Sequence, residues 1–169
     1  MIGGQQKFQE VLGLVQDWVP AEEYGHEREF QSELQDFLDE QLNEEGRGMM
    51  NMDQGEDVVS TEHGKNNADI AVNDQIGVEI KRDLTNSQTK KLRGQIDSYL
   101  ENYDFVIVCA CGVKDTDGWR ELKNKFEGTH GMGQQEVAFV WKRKENYGAG
   151  TAGGREEDSG MMGGQDSLW

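Results

Sequence analysis

Three side chains within one short stretch, Asp69, Glu79 and Lys81, have the types and spacing that metal-assisted hydrolysis requires. Asp69-Ile70-Ala71-Val72-Asn73-Asp74-Gln75-Ile76-Gly77-Val78-Glu79-Ile80-Lys81 reads as two β-strands joined by a turn. Ile70, Val72, Ile76, Val78 and Ile80 supply the β-branched residues, and Asn73-Asp74 supplies the turn chemistry. Strand side chains alternate between faces, so Glu79 and Lys81 share one face and Val78 and Ile80 the other. Two carboxylates beside an ammonium suit a divalent metal held by Asp69 and Glu79, with Lys81 next to the water it activates.

The elements around this hairpin must position it. Phe8, Val11, Leu12, Val15, Trp18 and Val19 recur at helical spacing and predict an amphipathic helix over residues 5–19, ended by Pro20. A second helix is predicted from about Glu22 to Leu42, with Tyr24, Phe30, Leu34, Phe37, Leu38 and Leu42 on one face. Glu27 falls inside that apolar stripe, and Glu33 lies near its edge. A glutamate aimed at a core needs a partner or a function.

Residues 43–56 read as a loop, Asp57–Thr61 as a strand, and Glu62-His63-Gly64-Lys65 as a turn whose Glu62 and His63 could supply an auxiliary ligand. Ser87 to Asn102 is predicted helical, with Leu92, Ile96, Tyr99 and Leu100 apolar, and with Gln95 and Tyr99 on one side at i, i+4. Phe105–Val113 is a near-continuous apolar run, the pattern of a strand buried on both faces. A helix over Thr116–Phe126 and a strand over Glu136–Lys142 follow, and the Gly-rich acidic tail from Glu145 is expected to be disordered.

The hairpin, written as Ala68-Asp69 and Glu79-Ile80-Lys81, resembles the PD-(D/E)xK nuclease superfamily, with Ala68 where that motif leads with proline. His26-Glu27-Arg28-Glu29-Phe30 resembles the first helix of its archaeal Holliday-junction-resolvase branch, and Gln95-x-x-x-Tyr99 resembles a motif on the helix that follows the ExK strand. The resemblance implies an α/β fold with a restriction-endonuclease-like αβββαβ core, a mixed central sheet flanked by helices. The resemblance covers about residues 22–113, and with the helix and tail read above it divides the chain into an N-terminal helix (1–20), a nuclease-like domain (21–144) and a tail (145–169). It also implies Mg²⁺ or Mn²⁺ on Asp69, Glu79 and the Ile80 carbonyl, supported by Glu27, with Glu33 as the other candidate helix carboxylate. Lys81 would position or deprotonate the attacking water, and Gln95 would orient that water or the lysine. DNA would be the substrate, met by Arg82, Lys90, Lys91, Arg93 and Tyr99, and junction cleavage would require a homodimer.

Composition constrains these readings. The net charge of −16 is unusual for a nucleic-acid binder, but it is unevenly spread. Residues 1–64 carry 16 acids against 3 bases, residues 65–144 carry 12 against 13, and residues 145–169 carry 5 against 1. The acid excess is peripheral, and Lys81-Arg82, Lys90-Lys91 with Arg93, and Lys142-Arg143-Lys144 form local basic clusters. An acidic periphery on an otherwise ordinary chain is the pattern of a halophilic protein; at about 1 M salt the Debye length is roughly 3 Å. The chain has no long apolar span and no signal-peptide pattern, so a soluble, intracellular (cytoplasmic) protein is expected, with no membrane partner. Cys109 and Cys111 share one side of a strand, a geometry for buried thiols and not for a disulfide. The rival readings are a catalytically silent nucleic-acid-binding or assembly domain and a small acidic interaction protein.

Overall fold

The computed structural model of the protein describes residues 2–45, 57–61, 67–130 and 134–148. Six strands form one mixed sheet with helices on both faces, an α/β fold. In chain order the elements are α1 (Ile2–Asp17), α2 (Glu27–Asp39, continued by a π-helical turn Glu40–Glu45), β1 (Val59–Thr61), β2 (Ile70–Val72), β3 (Ile76–Leu84) and α3 (Asn86–Asn102). β4 (Phe105–Val113), α4 (Thr116–Phe126), β5 (Gly128–His130), β6 (Gln135–Lys142) and a 3-10 turn (Lys144–Asn146) complete them. The sheet order is β1-β2-β3-β4-β6-β5. β3, β4 and β6 run parallel, while β1, β2 and β5 are antiparallel to their neighbours.

Alternation along the parallel strands separates two cores. Val78 and Ile80, with Ile107, Cys109 and Val140, pack under α1 and α2 through Phe8, Val11, Val15, Phe30, Leu34 and Leu38. Val106, Val108, Ala110 and Phe139 pack on the other face under α3 and α4 through Leu92, Ile96, Tyr99, Trp119 and Leu122. β4 is buried on both faces along almost its whole length, as its continuous apolar run requires. Cys109 and Cys111 are free and buried.

Four sequence expectations change here. The N-terminal helix is part of the main core and does not stand apart from it: Phe8 stacks on Phe105 with ring centroids 4.7 Å apart. The second helix starts at Glu27, not Glu22, because Glu33 pulls residues 18–24 into an irregular turn. The Glu33 carboxylate accepts from Trp18 Nε1 at 3.0 Å, Tyr24 Oη at 2.6 Å and Ala21 N at 3.1 Å. The tail is ordered for its first residues: Tyr147 packs against the α1–α2 core, and Gly148 N donates to Pro20 O at 2.9 Å. The short β5 was not anticipated. The rest of the tail, the Met-rich part of the 43–56 loop, and Glu62 and His63 lie outside the described residues. Among the described residues no helix is long and apolar enough to cross a membrane.

Glu33 is therefore a structural carboxylate that holds the α1–α2 connection. Replacing it with alanine strands a buried indole N–H, since Trp18 is 1% exposed. The cost should be about 2 kcal/mol, read in a thermal melt as a fall of roughly 4–8 °C in midpoint. A fall below about 1 °C would show that the carboxylate holds nothing.

Candidate active site

The site arises from unequal strand lengths. β2 spans three residues and β3 nine, and their pairing is Ile70 with Val78 and Val72 with Ile76. The three-residue turn Asn73-Asp74-Gln75, with Asn73 and Asp74 at φ of 53° and 57°, sets that register. In an antiparallel pair the N–H and C=O of one residue point to the same side, and alternate residues share that side. The polar groups of Ile80 and Arg82 therefore face the edge where β2 has ended. Unpaired backbone N–H groups near a core demand acceptors. Two carboxylates supply them: Asp69 Oδ2 accepts from Ile80 N at 2.8 Å, and Glu27 Oε2 accepts from Arg82 N at 3.2 Å.

Glu79 and Lys81 project from the same segment of β3 toward α3. Both are buried, at 3% and 8% exposure. Lys81 Nζ lies 3.0 Å from Glu79 Oε2, and Tyr99 Oη donates to Glu79 Oε1 at 2.9 Å. Gln88 Nε2, in the first turn of α3, reaches Glu27 Oε2 at 3.5 Å. Gln88 is itself held by a capping box, with Thr85 N donating to Gln88 Oε1 at 2.9 Å and Gln88 N to Thr85 Oγ1 at 3.4 Å. On the other side, Gln31 of α2 donates to the Asp69 carbonyl at 3.1 Å. Gln95 Oε1 is buried and accepts no hydrogen bond among the described residues.

Three carboxylates thus surround one ammonium. Burial, and then the charge of Glu79, push the Asp69 carboxyl up to about 7, against the Ile80 N–H and Lys81 that favour its ionised form. Burial also raises Glu79, against the opposing effect of Lys81 and Tyr99. For Lys81, burial acts to lower the value, but Glu79, Glu27 and Asp69 together outweigh it and hold the ammonium above its ordinary range. Such a crowding of carboxyls is relieved either by a proton or by a cation. The donor set is chemically suited to a hard divalent ion, since carboxylates and carbonyls are its preferred ligands. Among the described residues, however, no three His, Cys, Asp or Glu side chains form a ready-made cage. Asp69 and Glu27 are turned onto the strand backbone, and Glu79 is engaged by Lys81 and Tyr99.

The structure brings together Asp69, Glu79, Lys81 and Glu27, and it corrects other expectations. Tyr99 is 1% exposed and holds Glu79 from inside the core, so it is not a nucleic-acid contact. Glu33, the other candidate helix carboxylate, is excluded by its three partners in the α1–α2 connection. Arg82 points away from Lys81 and is anchored through Nε to Tyr24 O at 2.8 Å. Lys90 and Lys91 are exposed on α3, whereas Arg93 sits 3.6 Å from Glu121 of α4. Gln88 and Gln31 were not singled out in the sequence. The Thr85-x-x-Gln88 spacing was the available signal for the first, and nothing local marked the second. Searches of protein-family models, curated proteins and solved structures return no match to this chain.

The raised Asp69 carboxyl gives a test independent of activity. The folded protein holds this proton more tightly than the unfolded chain. Its contribution to stability is therefore full below the ordinary carboxylate value of 3.8 and is lost as pH rises through about 7. Ionised carboxylates are also what a metal needs. Millimolar Mn²⁺ should raise the thermal midpoint by several degrees at about pH 8 and by far less at about pH 5. Asp69→Asn should melt higher than wild type at the upper pH without metal and should lose the Mn²⁺ response. An equal response at the two pH values, or one that survives in Asp69→Asn, would count against this site as the cation locus.

Proposed function

We propose that this chain is a metal-dependent nuclease of the PD-(D/E)xK kind, with a restriction-endonuclease-like core, that hydrolyses phosphodiester bonds of DNA. The observation that carries the reading is the convergence of Asp69, Glu79, Lys81 and Glu27 at one open strand edge. The helix, three strands, helix and strand running from α2 to β4 follow the order that the resemblance implies.

Asp69, Glu79 and the Ile80 carbonyl would hold Mg²⁺ or Mn²⁺, with Glu27 in support. When bound, the ion would supply Lewis acidity and lower the pKa of a coordinated water. The chain's own groups do the positioning. Tyr99 fixes one Glu79 oxygen, and the Ile80 N–H fixes one oxygen of Asp69. Lys81, ion-paired to Glu79, has three donors and would serve as a charge and hydrogen-bond donor toward the anionic phosphate or the attacking water. Gln95 Oε1, buried without a partner among the described residues on the helix that carries Tyr99, is assigned the orienting of Lys81 or a water on this reading.

One observation favours a second reading, a silent nucleic-acid-binding domain. Both Glu79 oxygens are already engaged by Lys81 and Tyr99. The two readings separate on plasmid nicking in low and molar salt, with Mg²⁺, Mn²⁺ or chelator. The nuclease should nick only with metal. Asp69→Asn and Glu79→Gln, which keep side-chain shape, should lose activity by about 100-fold or more while remaining folded. Metal-dependent nicking that persists undiminished in both variants would sink the nuclease assignment. Absence of nicking by wild type, alongside DNA binding, would select the silent domain.

A further inference from the structure

A crevice opens at the carboxyl ends of the three parallel strands, beyond the candidate site. It is a cavity of about 230 Å³ that extends from Asp83 on β3, over Gly112 and Val113 on β4, to Trp141 and Arg143 at the end of β6. Carboxyl ends of parallel strands are where open α/β sheets bind ligands. The opening is built into the backbone. Asp83 and Gly112 have φ of +50° and +91° on adjacent strands, and a Cβ at position 112 would lie 2.5 Å from Asp83 Oδ1. Gly112 adopts this conformation freely, so any backbone strain here lies at Asp83.

Trp141 is the hub of this end of the molecule. It lines the crevice and two further cavities of about 400 and 170 Å³ that flank β6. The Arg143 guanidinium carbon lies 4.1 Å from the centre of its ring, and Trp119 meets it edge-on at 6.3 Å. Lys114, Arg120, Lys123, Lys142, Arg143 and Lys144 line the three cavities, against three carboxylates. The chain as a whole carries 33 acids against 17 bases, so the charge ratio is inverted here. Lys142 is turned inward, onto Gln16 O at 2.7 Å, and Lys144 is spent on Asp83 and Glu23. Arg120 and Lys123 are balanced by Asp117 and Glu127. Lys114, which is exposed, and Arg143 make no ion pair among the described residues.

The crevice is also in line with the candidate site. Lys81 pairs in register with Ala110, and Ala110 with Trp141, so Lys81 and Trp141 project from the same face of the sheet. Two strand spacings put their backbones about 10 Å apart. Asp83, at the crevice's near end, is two residues beyond Lys81.

We propose that the Trp141–Arg143 stack and Lys114 bind an unpaired nucleotide of a single strand whose backbone continues toward Lys81. The aromatic face takes the base, and Lys114 and Arg143 take the flanking phosphates. The proposal rests on the nuclease reading for the direction of the strand, but the binding itself needs no metal and no cleavage.

The test is fluorescence anisotropy of a labelled short oligothymidine and of a blunt duplex of equal length, in chelator at low salt. Wild type should prefer the single strand. Trp141→Ala should weaken single-strand binding about 10-fold or more while Trp141→Phe stays within about threefold, and duplex binding should change less than about twofold. Lys114→Glu, at an exposed position that folding does not depend on, should cost about 3- to 10-fold on the single strand. It decides the matter if Trp141→Ala does not fold. The proposal is overturned if wild type shows no single-strand preference, if Lys114→Glu and the folded Trp141 variants bind like wild type, or if Trp141→Ala weakens duplex and single strand alike. Nicking that needs Asp69 without Trp141-sensitive binding would leave the nuclease and remove the crevice. Trp141-sensitive binding without nicking would do the reverse.

Discussion

β3 is longer than its antiparallel neighbour, and the rest of the site follows from that. Once β2 has ended, the N–H groups of Ile80 and Arg82 face an edge where no strand among the described residues accepts them. The acceptors are Asp69, just before β2, and Glu27, the first residue of α2. A backbone requirement thus draws two acids from distant parts of the chain to the strand that bears Glu79 and Lys81. Gln31 ties the same α2 to the Asp69 carbonyl, and Gln88 ties α3 to Glu27, so both helices are clamped across the open edge. The carboxylates that complete the sheet are also the ones that create the charge excess.

That excess has an energetic cost that the surrounding contacts only partly offset. Lys81 neutralises one charge, and Tyr99 and the Ile80 N–H stabilise two of the oxygens. Asp69 still needs a pH near 7 to ionise, because it is desolvated and faces Glu79. Breaking such an arrangement from one side is costlier than its net worth, since the partner left behind is buried and unpaired. The proposed activity and stability would therefore pull in opposite directions on the same groups. Without a cation the protein is more stable with Asp69 neutral, while binding of a divalent cation needs it charged.

Periodicity made the scaffold legible. The apolar run of β4, the alternation of β3 and the stripes of α2 and α3 are all set by which residues must face a core. Other features depend on contacts between elements. The start of α2 moved because Glu33 is drawn to Trp18 and Tyr24, a pairing that no local pattern displays. The helical wheel placed Glu27 and Glu33 on or near one apolar stripe, and only the open edge of β3 distinguishes them. The resemblance made Tyr99 a nucleic-acid contact, although periodicity put it on the apolar face of its helix. It shares the stripe of Leu92 and Ile96, and that stripe faces the sheet, so its hydroxyl meets Glu79 and not solvent. β5 is three residues long, too short for alternation to mark it.

The acidic surface and the central site obey different electrostatics. Exposed acids act through solvent and are screened by salt within a few ångströms, whereas the Glu79–Lys81 pair and the Asp69 carboxylate are shielded by the protein and barely feel it. The net charge of −16 is therefore no guide to what the site can bind. Repulsion of a polyanion by the periphery falls as salt rises, while the proposed contacts at Lys81 and on the Trp141 ring would be made at van der Waals or hydrogen-bond distance. Stacking is also the component of nucleic-acid binding that counterion release affects least. On the proposed reading, acids outside, an ammonium inside and an aromatic at the strand ends would suit conditions where long-range charge is screened and short-range contacts decide.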